Sequence, residues 1–227
     1  MNMEPIARVI NDFPQKFGLP RQPGLRCDVP ARIVFEKPWR DPNTLRGLEE
    51  YDRIWVLWLF DPMGRPFSPT VRPPKLGGNR RMGVFATRSP NRPNPIGLTC
   101  VRLERVELDG PEGPVLHIRG ADMRSGTLVL DIKPYLPFAD AYPDAAAGFA
   151  DRTEDVPLEV QDPGDLLKQV PAEKRDVLLK ALICDPRPTY KTDSGEYGLS
   201  YAGFNIRFSV SQHVLTVLRV SEEKTSI

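Results

Sequence analysis

The segment RMGVFATRSPNRPNPIG, residues 81–97, holds two guanidinium groups, Arg88 and Arg92, among prolines and asparagines, with no carboxylate inside the segment. Arginine presents a planar fork that pairs with carboxylate or phosphate. Two such forks on a stiffened loop point to an anion site, filled either by an acid from elsewhere in the chain or by a ligand. From Pro62 to Leu103 there are eight basic residues (Arg65, Arg72, Lys75, Arg80, Arg81, Arg88, Arg92, Arg102) and no acidic one, whereas 140–165 is acid-rich. A solvated arginine face would account for that run alone. It accounts less well for five loops of one kind: LPRQPG (19–24), TVRPPKLGGNRRMG (70–83), ATRSPNRPNPIG (86–97), DMRSGTLVLDIKPYLPF (122–138) and DPRPTY (185–190). Each mixes Pro, which lowers the entropy cost of a fixed loop, with charge, and most add Gly, which lets backbone amides approach a ligand.

Other chemistries are poorly supported. The two histidines, His117 and His213, fall on expected strands, and no GxSxG elbow presents a serine. Cys27, Cys100 and Cys184 are odd in number, widely spaced and without a CxxC pair, so neither a disulfide framework nor a metal site is indicated. KLGGN lacks the Lys-Ser/Thr of a phosphate loop, and no Rossmann fingerprint is present. With 31 Lys plus Arg against 30 Asp plus Glu, the chain is no wholesale polycation. No apolar run is long enough for a membrane span and MNMEPIARVINDF has no signal-like core, so a cytoplasmic protein is expected.

The elements that must position these loops are mostly strands. Proline, at 25 of 227 residues, is about twice its average usage of roughly 5% and favours loops and strand edges. Strands are expected at Ile6–Ile10, Ala31–Phe35, Tyr51–Phe60, Gly83–Ala86, Gly97–Glu107, Val115–Arg119 and Leu128–Ile132. Ile54–Phe60 (IWVLWLF) is continuously apolar, as a strand buried on both faces would be, while Val101–Leu108 alternates. One helix is expected around Thr44–Glu50, capped by Asp41 or Asn43. Beyond the acidic, alanine-rich connection at 139–159, Asp162–Cys184 has helical apolar spacing broken at Pro171, and the strands Phe204–Val210 and His213–Val220 join through Ser211–Gln212. The chain therefore reads as mainly β: a barrel-like domain, 1–157, and a small α+β C-terminal domain, 158–227.

PRQPG, TVRPPKLGGN, RMGVFATRSPNRPNPIG, DIKPYLPF and DPRPTY, in this order, closely resemble the TrmO family, also called TsaA-like or YaeB proteins. The resemblance runs nearly end to end. It implies a non-Rossmann β-barrel methyltransferase, acting as a homodimer, that uses S-adenosyl-L-methionine to methylate N6 of threonylcarbamoyladenosine at tRNA position 37, beside the anticodon. By matching motifs it implies cofactor contacts from Pro20, Arg21, Gln22, Arg88, Arg92 and the run Asp131, Ile132, Lys133, Pro134 and Tyr135. Met123 stands where relatives often carry Leu and is expected to pack on the cofactor. Asp61-Pro62 stands where relatives carry a His-Gln pair, which puts a side-chain contact there in doubt and leaves a backbone contact open.

On the same resemblance, Asp131, Tyr135, Asp185 and Tyr190 are candidates to take the proton from N6, and the residues do not decide among them. Lys75, Arg80, Arg81 and Arg187 are expected on the tRNA surface, and Arg187 or Lys191 opposite the threonyl carboxylate. No metal is expected. Two other readings remain open: a non-catalytic module binding S-adenosylmethionine or RNA, and a methyltransferase acting on a small molecule.

Overall fold

The structure is a computed structural model and describes residues 3–19, 27–62, 64, 66–73, 76, 80–152, 156–187 and 195–223. Six strands close into an antiparallel barrel: β1 (Ala7–Ile10), β2 (Pro30–Phe35), β3 (Arg53–Leu59), β6 (Ile96–Glu107), β7 (Val115–Arg119) and β8 (Leu128–Pro134). Their order around the barrel is β1-β2-β7-β6-β3-β8, with β8 pairing back onto β1. Closure removes the unpaired edges an open sheet would expose. The two-residue strands β4 (Thr70–Val71) and β5 (Met82–Gly83) pair within the long loop between β3 and β6.

Side chains alternate in direction along each strand. Val9, Ile33, Ile54, Val56, Val101, Leu116, Ile118 and Val129 thus fill the interior. The expectation that Ile54–Phe60 is buried on both faces is not met: Ile54, Val56 and Trp58 are buried while Trp55, Leu57 and Leu59 are partly exposed. A closed sheet has one inner face, and the outer face of β3 is left partly open, with Asp140, beyond β8, accepting from Trp55 Nε1 at 2.9 Å. The expected strand Gly83–Ala86 is instead the end of β5 followed by a 3-10 turn, Val84–Ala86. The expected helix at Thr44–Glu50 is two 3-10 turns, Pro42–Leu45 and Leu48–Glu50. Asp41 caps the first by accepting from the Asn43 amide, and Gly47, with φ of +84°, separates them. That left-handed conformation is one that glycine adopts without cost, and it stops a continuous helix.

Past β8 comes a four-residue helix, α1 (Pro137–Asp140). The C-terminal part holds β9 (Glu159–Gln161), α2 (Ala172–Ile183), β10 (Glu196–Tyr201), β11 (Phe204–Ser211) and β12 (Val214–Glu222). Its sheet runs β10-β11-β12-β9, with β9 parallel to β12. Pro171 precedes α2 as expected; the segment before it is a 3-10 turn, Leu166–Gln169. The hairpin joining β11 and β12 turns on Gln212 and His213, one residue beyond expectation, both at positive φ (46° and 66°). That twist suits a two-residue hairpin.

The sheet packs onto the barrel through the segment after β1. Asp12 accepts the Ala202 amide at 2.8 Å and pairs with Lys174. Phe13 meets Tyr201 with ring centroids 4.7 Å apart, and Phe17 stacks on Tyr197 and Phe208 at 6.5 Å each. Gly18 is pressed so closely that a Cβ there would fall 2.0 Å from Leu199 Cδ1.

Candidate functional site

Antiparallel pairing gathers three connections at one end of the barrel: 11–29 after β1, 60–95 after β3 and 120–127 after β7. The register fixes this, because Leu59 faces Ile96, Trp58 faces Val129 and Pro30 faces Arg119. The C-terminal sheet abuts the same end through residues 12–18.

At the floor of this end, Trp58, Thr99 and Asp122 form a directed chain. Trp58 Nε1 donates to Thr99 Oγ1 at 2.9 Å, and Thr99 Oγ1 donates to Asp122 Oδ1 at 2.7 Å. Thr99 lies between Gly97 and Val101 on the inward face of β6, where all three are buried. Gly97 makes room for the indole, since a Cβ there would lie 2.2 Å from Trp58 Cε2. Phe60 packs edge-on against the same ring at 4.3 Å. Burial pushes the Asp122 carboxyl up to about 6, against the lowering effects of the Thr99 hydroxyl, its own amide and the Arg88 charge.

Arg88 is exposed and, among the described residues, makes no ion pair; its charge acts on Asp122 from beyond salt-bridge distance. Arg92 ties its own loop instead. Its Nη1 donates to the carbonyls of Thr87 and Ser89 at 3.1 Å each, and its guanidinium stands over the Phe85 ring at 6.0 Å. Phe85 is 77% exposed. Asn91 is buried and donates to the Pro66 carbonyl.

Asp61, at the end of β3, is held by Arg124 from the β7–β8 loop through two hydrogen bonds, Nε to Oδ2 at 2.9 Å and Nη2 to Oδ1 at 2.7 Å, with Lys16 at 3.5 Å. These bonds, then Lys16, hold the Asp61 carboxyl below its usual range. The neighbouring Pro62 is described with no donor to offer. Thiol chemistry finds no support here, because burial pushes Cys27 up to about 12 and raises Cys100 as well.

The other expected residues are spread more widely. Met123 is 2% exposed and belongs to the core, with its carbonyl bound by Asn11 Nδ2 at 2.8 Å. Its side chain thus lies among barrel core residues, while its main chain runs through the β7–β8 loop. Asp131, Ile132, Lys133 and Pro134 run along β8 away from this end, and Tyr135 lies at the opposite end, its ring beside Trp55 and its amide bound to the Arg53 carbonyl. A slip in register between Leu57 and Trp58 sets Asp131 opposite Leu57 and Ile132 opposite Val56. Asp131 thus faces outward, paired with Lys133 at 2.8 Å, and Ile132 packs inward. Within one chain, Asp131 and Tyr135 do not join the Asp122 cluster.

Asp185 grips Arg187 through two bonds of 2.9 Å, and the Arg187 side chain is only 14% exposed. That burial leaves little of the guanidinium open to a phosphate. Arg80 and Arg81 are exposed on the long loop, Arg81 donating to Thr70 Oγ1 at 2.9 Å. Pro20, Arg21, Gln22, Lys75, Tyr190 and Lys191 lie outside the described residues. Among the described residues no cluster of three metal-ligating side chains occurs, and no helix is long and apolar enough to cross a membrane.

A family model described as the tRNA-methyltransferase O N-terminal domain matches residues 8–141, and one for the TrmO C-terminal domain matches 158–223. The chain belongs to the TrmO family. It is 40% identical over 219 residues to the tRNA (adenine(37)-N6)-methyltransferase of Escherichia coli K12, covering 92% of each chain. It is 46% identical over 165 residues to the protein of that name from Eikenella corrodens, covering 71% of this chain and 92% of the relative. A relative from Pseudomonas aeruginosa, 39% identical over 201 residues and covering 84% and 83%, is named as a candidate S-adenosylmethionine-dependent methyltransferase. A TrmO crystal structure from P. aeruginosa superposes with a TM-score of 0.77 at 31% identity, covering 98% of this chain and 97% of that one. The closed, mainly β barrel with a separate C-terminal domain is thus the TrmO architecture.

Sequence reasoning missed the Trp58–Thr99–Asp122 chain. A signal was present: at the inward parity of β6, a threonine stands between a glycine and a valine, and a polar group facing a core needs a partner.

Proposed function

We propose that this TrmO-family chain is a cytoplasmic S-adenosyl-L-methionine-dependent methyltransferase acting on N6 of adenine 37 in the tRNA anticodon loop, with the N6-threonylcarbamoyl form as its substrate. Residues 1–157 form the cofactor-binding barrel and 158–227 a domain that helps hold the tRNA. One observation carries this reading: a barrel of this family gathers at one end a guanidinium with no ion pair among the described residues, a partly buried carboxylate and an exposed aromatic ring.

These residues fit the cofactor's chemistry. Arg88 suits the carboxylate of its methionine part, Asp61 suits cationic or hydroxyl groups, and the open Phe85 ring suits adenine. Pro20, Arg21, Gln22, Arg92 and the main chain at Asp61, Pro62 and Met123 complete the proposed set. When bound, the cofactor supplies a methyl group on a positively charged sulfur. The chain's own task is to hold the nitrogen in line with that carbon, and such positioning lowers a barrier by roughly 7–11 kcal/mol. Lys75, Arg80, Arg81 and Lys191 offer positive charge to phosphates, with Arg187 after release from Asp185, so tRNA binding should weaken steeply with salt.

The outer face of β3 and β6, beside β8, supports a homodimer. Leu98 is 54% exposed and faces Leu57 across the strands, with Trp55 and Cys100 next along. Beyond them Phe138 and Tyr142 are largely exposed. A second copy related by a two-fold axis would cover this surface with its equivalent and bring another β8 face, with its Asp131 and Lys133, toward the loops.

The deciding experiment incubates the protein with S-adenosylmethionine and tRNA carrying threonylcarbamoyladenosine, then analyses digested nucleosides by mass spectrometry. The expected outcome is one added methyl group on that nucleoside alone. Cofactor binding without methyl transfer would instead indicate a binding module.

A further inference from the structure

The geometry points to Asp122 as the group that receives the proton from the target nitrogen, with Thr99 and Trp58 as the residues that position it. This rests on the function proposed above and adds to it a residue outside the four acceptors expected from the sequence.

The sense of the hydrogen-bond chain is fixed by its first member. An indole N–H can only donate. Trp58 therefore occupies an acceptor site of Thr99 Oγ1, and the threonine proton is directed onto Asp122 Oδ1. Asp122 Oδ1 carries this bond and, among the described residues, no side chain is bound to Oδ2, so the transferred proton is assigned to Oδ2. The chain is rigid because the Trp58 ring is wedged between Phe60 and the Cβ-free face of Gly97.

Among the described residues Asp122 differs from Asp61, Asp185 and Asp131 in having no cation bound to it. Asp61 is occupied by Arg124 and Lys16, Asp185 by Arg187, and Asp131 by Lys133 on the outer face. A carboxylate gripped by a guanidinium is a weak base. Asp122 faces Thr99 and Trp58 from the barrel wall, and Arg88 is the charged group that acts on it from the 60–95 loop, without forming an ion pair. A base is most effective when its own acidity lies near the working pH, and burial moves Asp122 in that direction.

The step balances as follows. The N6–H bond breaks and its proton goes to Asp122 Oδ2. The nitrogen lone pair forms the new N–C bond to the methyl carbon. The C–S bond breaks with its electron pair passing to sulfur, which becomes neutral. Asp122 then returns its proton to water.

Two readouts test this role. Carbon-13 NMR of the carboxyl groups in the free protein should show Asp122 titrating near pH 6, well above the about 3.9 of an ordinary aspartate. Single-turnover methyl transfer at saturating cofactor should rise with pH along the same curve. Asp122→Asn, which keeps the oxygen that Thr99 needs, should slow transfer by about 10²–10⁴-fold and abolish that acid limb while calorimetric cofactor affinity stays within about threefold. Thr99→Val should move both the limb and the NMR titration to higher pH, because a bond that favours the carboxylate is lost.

An Asp122→Asn protein with undiminished transfer overturns the role. So does one whose only defect is lost cofactor affinity, since Asp122 is then a ligand to the cofactor. Wild-type transfer to tRNA in the same assay is the control for the function itself; its failure overturns that reading and the role with it, whereas failure confined to the variant comparison overturns the role alone.

Discussion

Two populations of charge lie on the barrel, and they are organised in opposite ways. Over β2, β7 and the second half of β6, cations and anions are matched within the chain. Arg102 faces Arg119 and Arg105 faces His117 across the strands. The two arginines so placed repel, and a carboxylate stands at each pair: Glu104 takes Arg102 at 3.4 Å and Arg119 at 2.6 Å, and Glu107 takes Arg105 and His117 at 2.9 Å each. Arg32 pairs with Glu112 in the same belt. At the loop end the matching fails among the described residues: Arg88 makes no ion pair, Arg92 is held by carbonyls, and Asp122 by a hydroxyl. Charges satisfied internally keep a surface solvated. Charges left without an ion pair are free to act on a ligand or on a reacting group.

The sharpest way to break this contrast is Arg88→Ala against Arg105→Ala. A hydrogen bond to a charged group contributes about 1.5–3 kcal/mol, so Arg88→Ala should weaken cofactor binding by roughly 10–100-fold in calorimetry. The belt substitution should leave it unchanged. Equal affinities for the two variants would place Arg88 among the solvated charges.

Next in size is the stability cost of an unmatched carboxylate. Asp122 has a folded value near 6, above the roughly 3.9 of an unfolded aspartate. Between those two values the folded chain binds the extra proton, so folding loses stability as pH rises through that window. Asp122→Asn should therefore be more stable than the parent by about 1–2 kcal/mol at pH 8, and no more stable below pH about 4. Denaturant unfolding at the two pH values measures this, and a variant destabilised at pH 8 would show Asp122 to be a structural anion.

Much of this was legible in the sequence, for a physical reason in each case. The barrel strands show through their period-two pattern, and Pro171 marks the start of α2 because its ring suits a helix entrance. The loops announce themselves by Pro, Gly and Arg. What escaped was set by packing between distant segments. Asp122 resembles any loop aspartate until Thr99 and Trp58, 23 and 41 residues from their partners in the chain, meet it. The Asp131–Tyr135 run falls within one of the loop-like motifs, whereas register lays most of it along β8, with Asp131 outward and Ile132 inward. The resemblance sets Met123 beside the cofactor, and composition does not say which side of a short loop the core takes; its side chain lies in the core.

Asp61 tests the border between the two populations, because it lies at the loop end yet is matched by Arg124 and Lys16. Its folded value is depressed, so its contribution is present above the unfolded value of about 3.9 and is lost as pH falls through the folded one. About a third of each side chain in the Asp61–Arg124 pair remains in contact with water, and the two parallel bonds give good geometry, so Asp61→Asn should cost about 0.5–1 kcal/mol at pH 7. The difference should vanish in acid. A much larger loss at neutral pH would mean that this pair, and not the strand ends, fixes the β3–β6 and β7–β8 loops together.

The smallest effect belongs to the belt itself. Glu104 serves two arginines, and its removal as Glu104→Gln leaves Arg102 opposite Arg119 without an anion between them. Arg102 keeps Asp28 at 3.3 Å, however, and more than a third of each arginine side chain is in water. Water and salt therefore replace most of what the carboxylate supplied, and the stability change should stay within roughly 0.5 kcal/mol. What remains should fade as salt approaches about 1 M, where charges are screened within roughly 3 Å. A loss that persists at high salt would show that Glu104 acts through packing on β7, and the belt would then be part of the fold's framework and not merely its solvated surface.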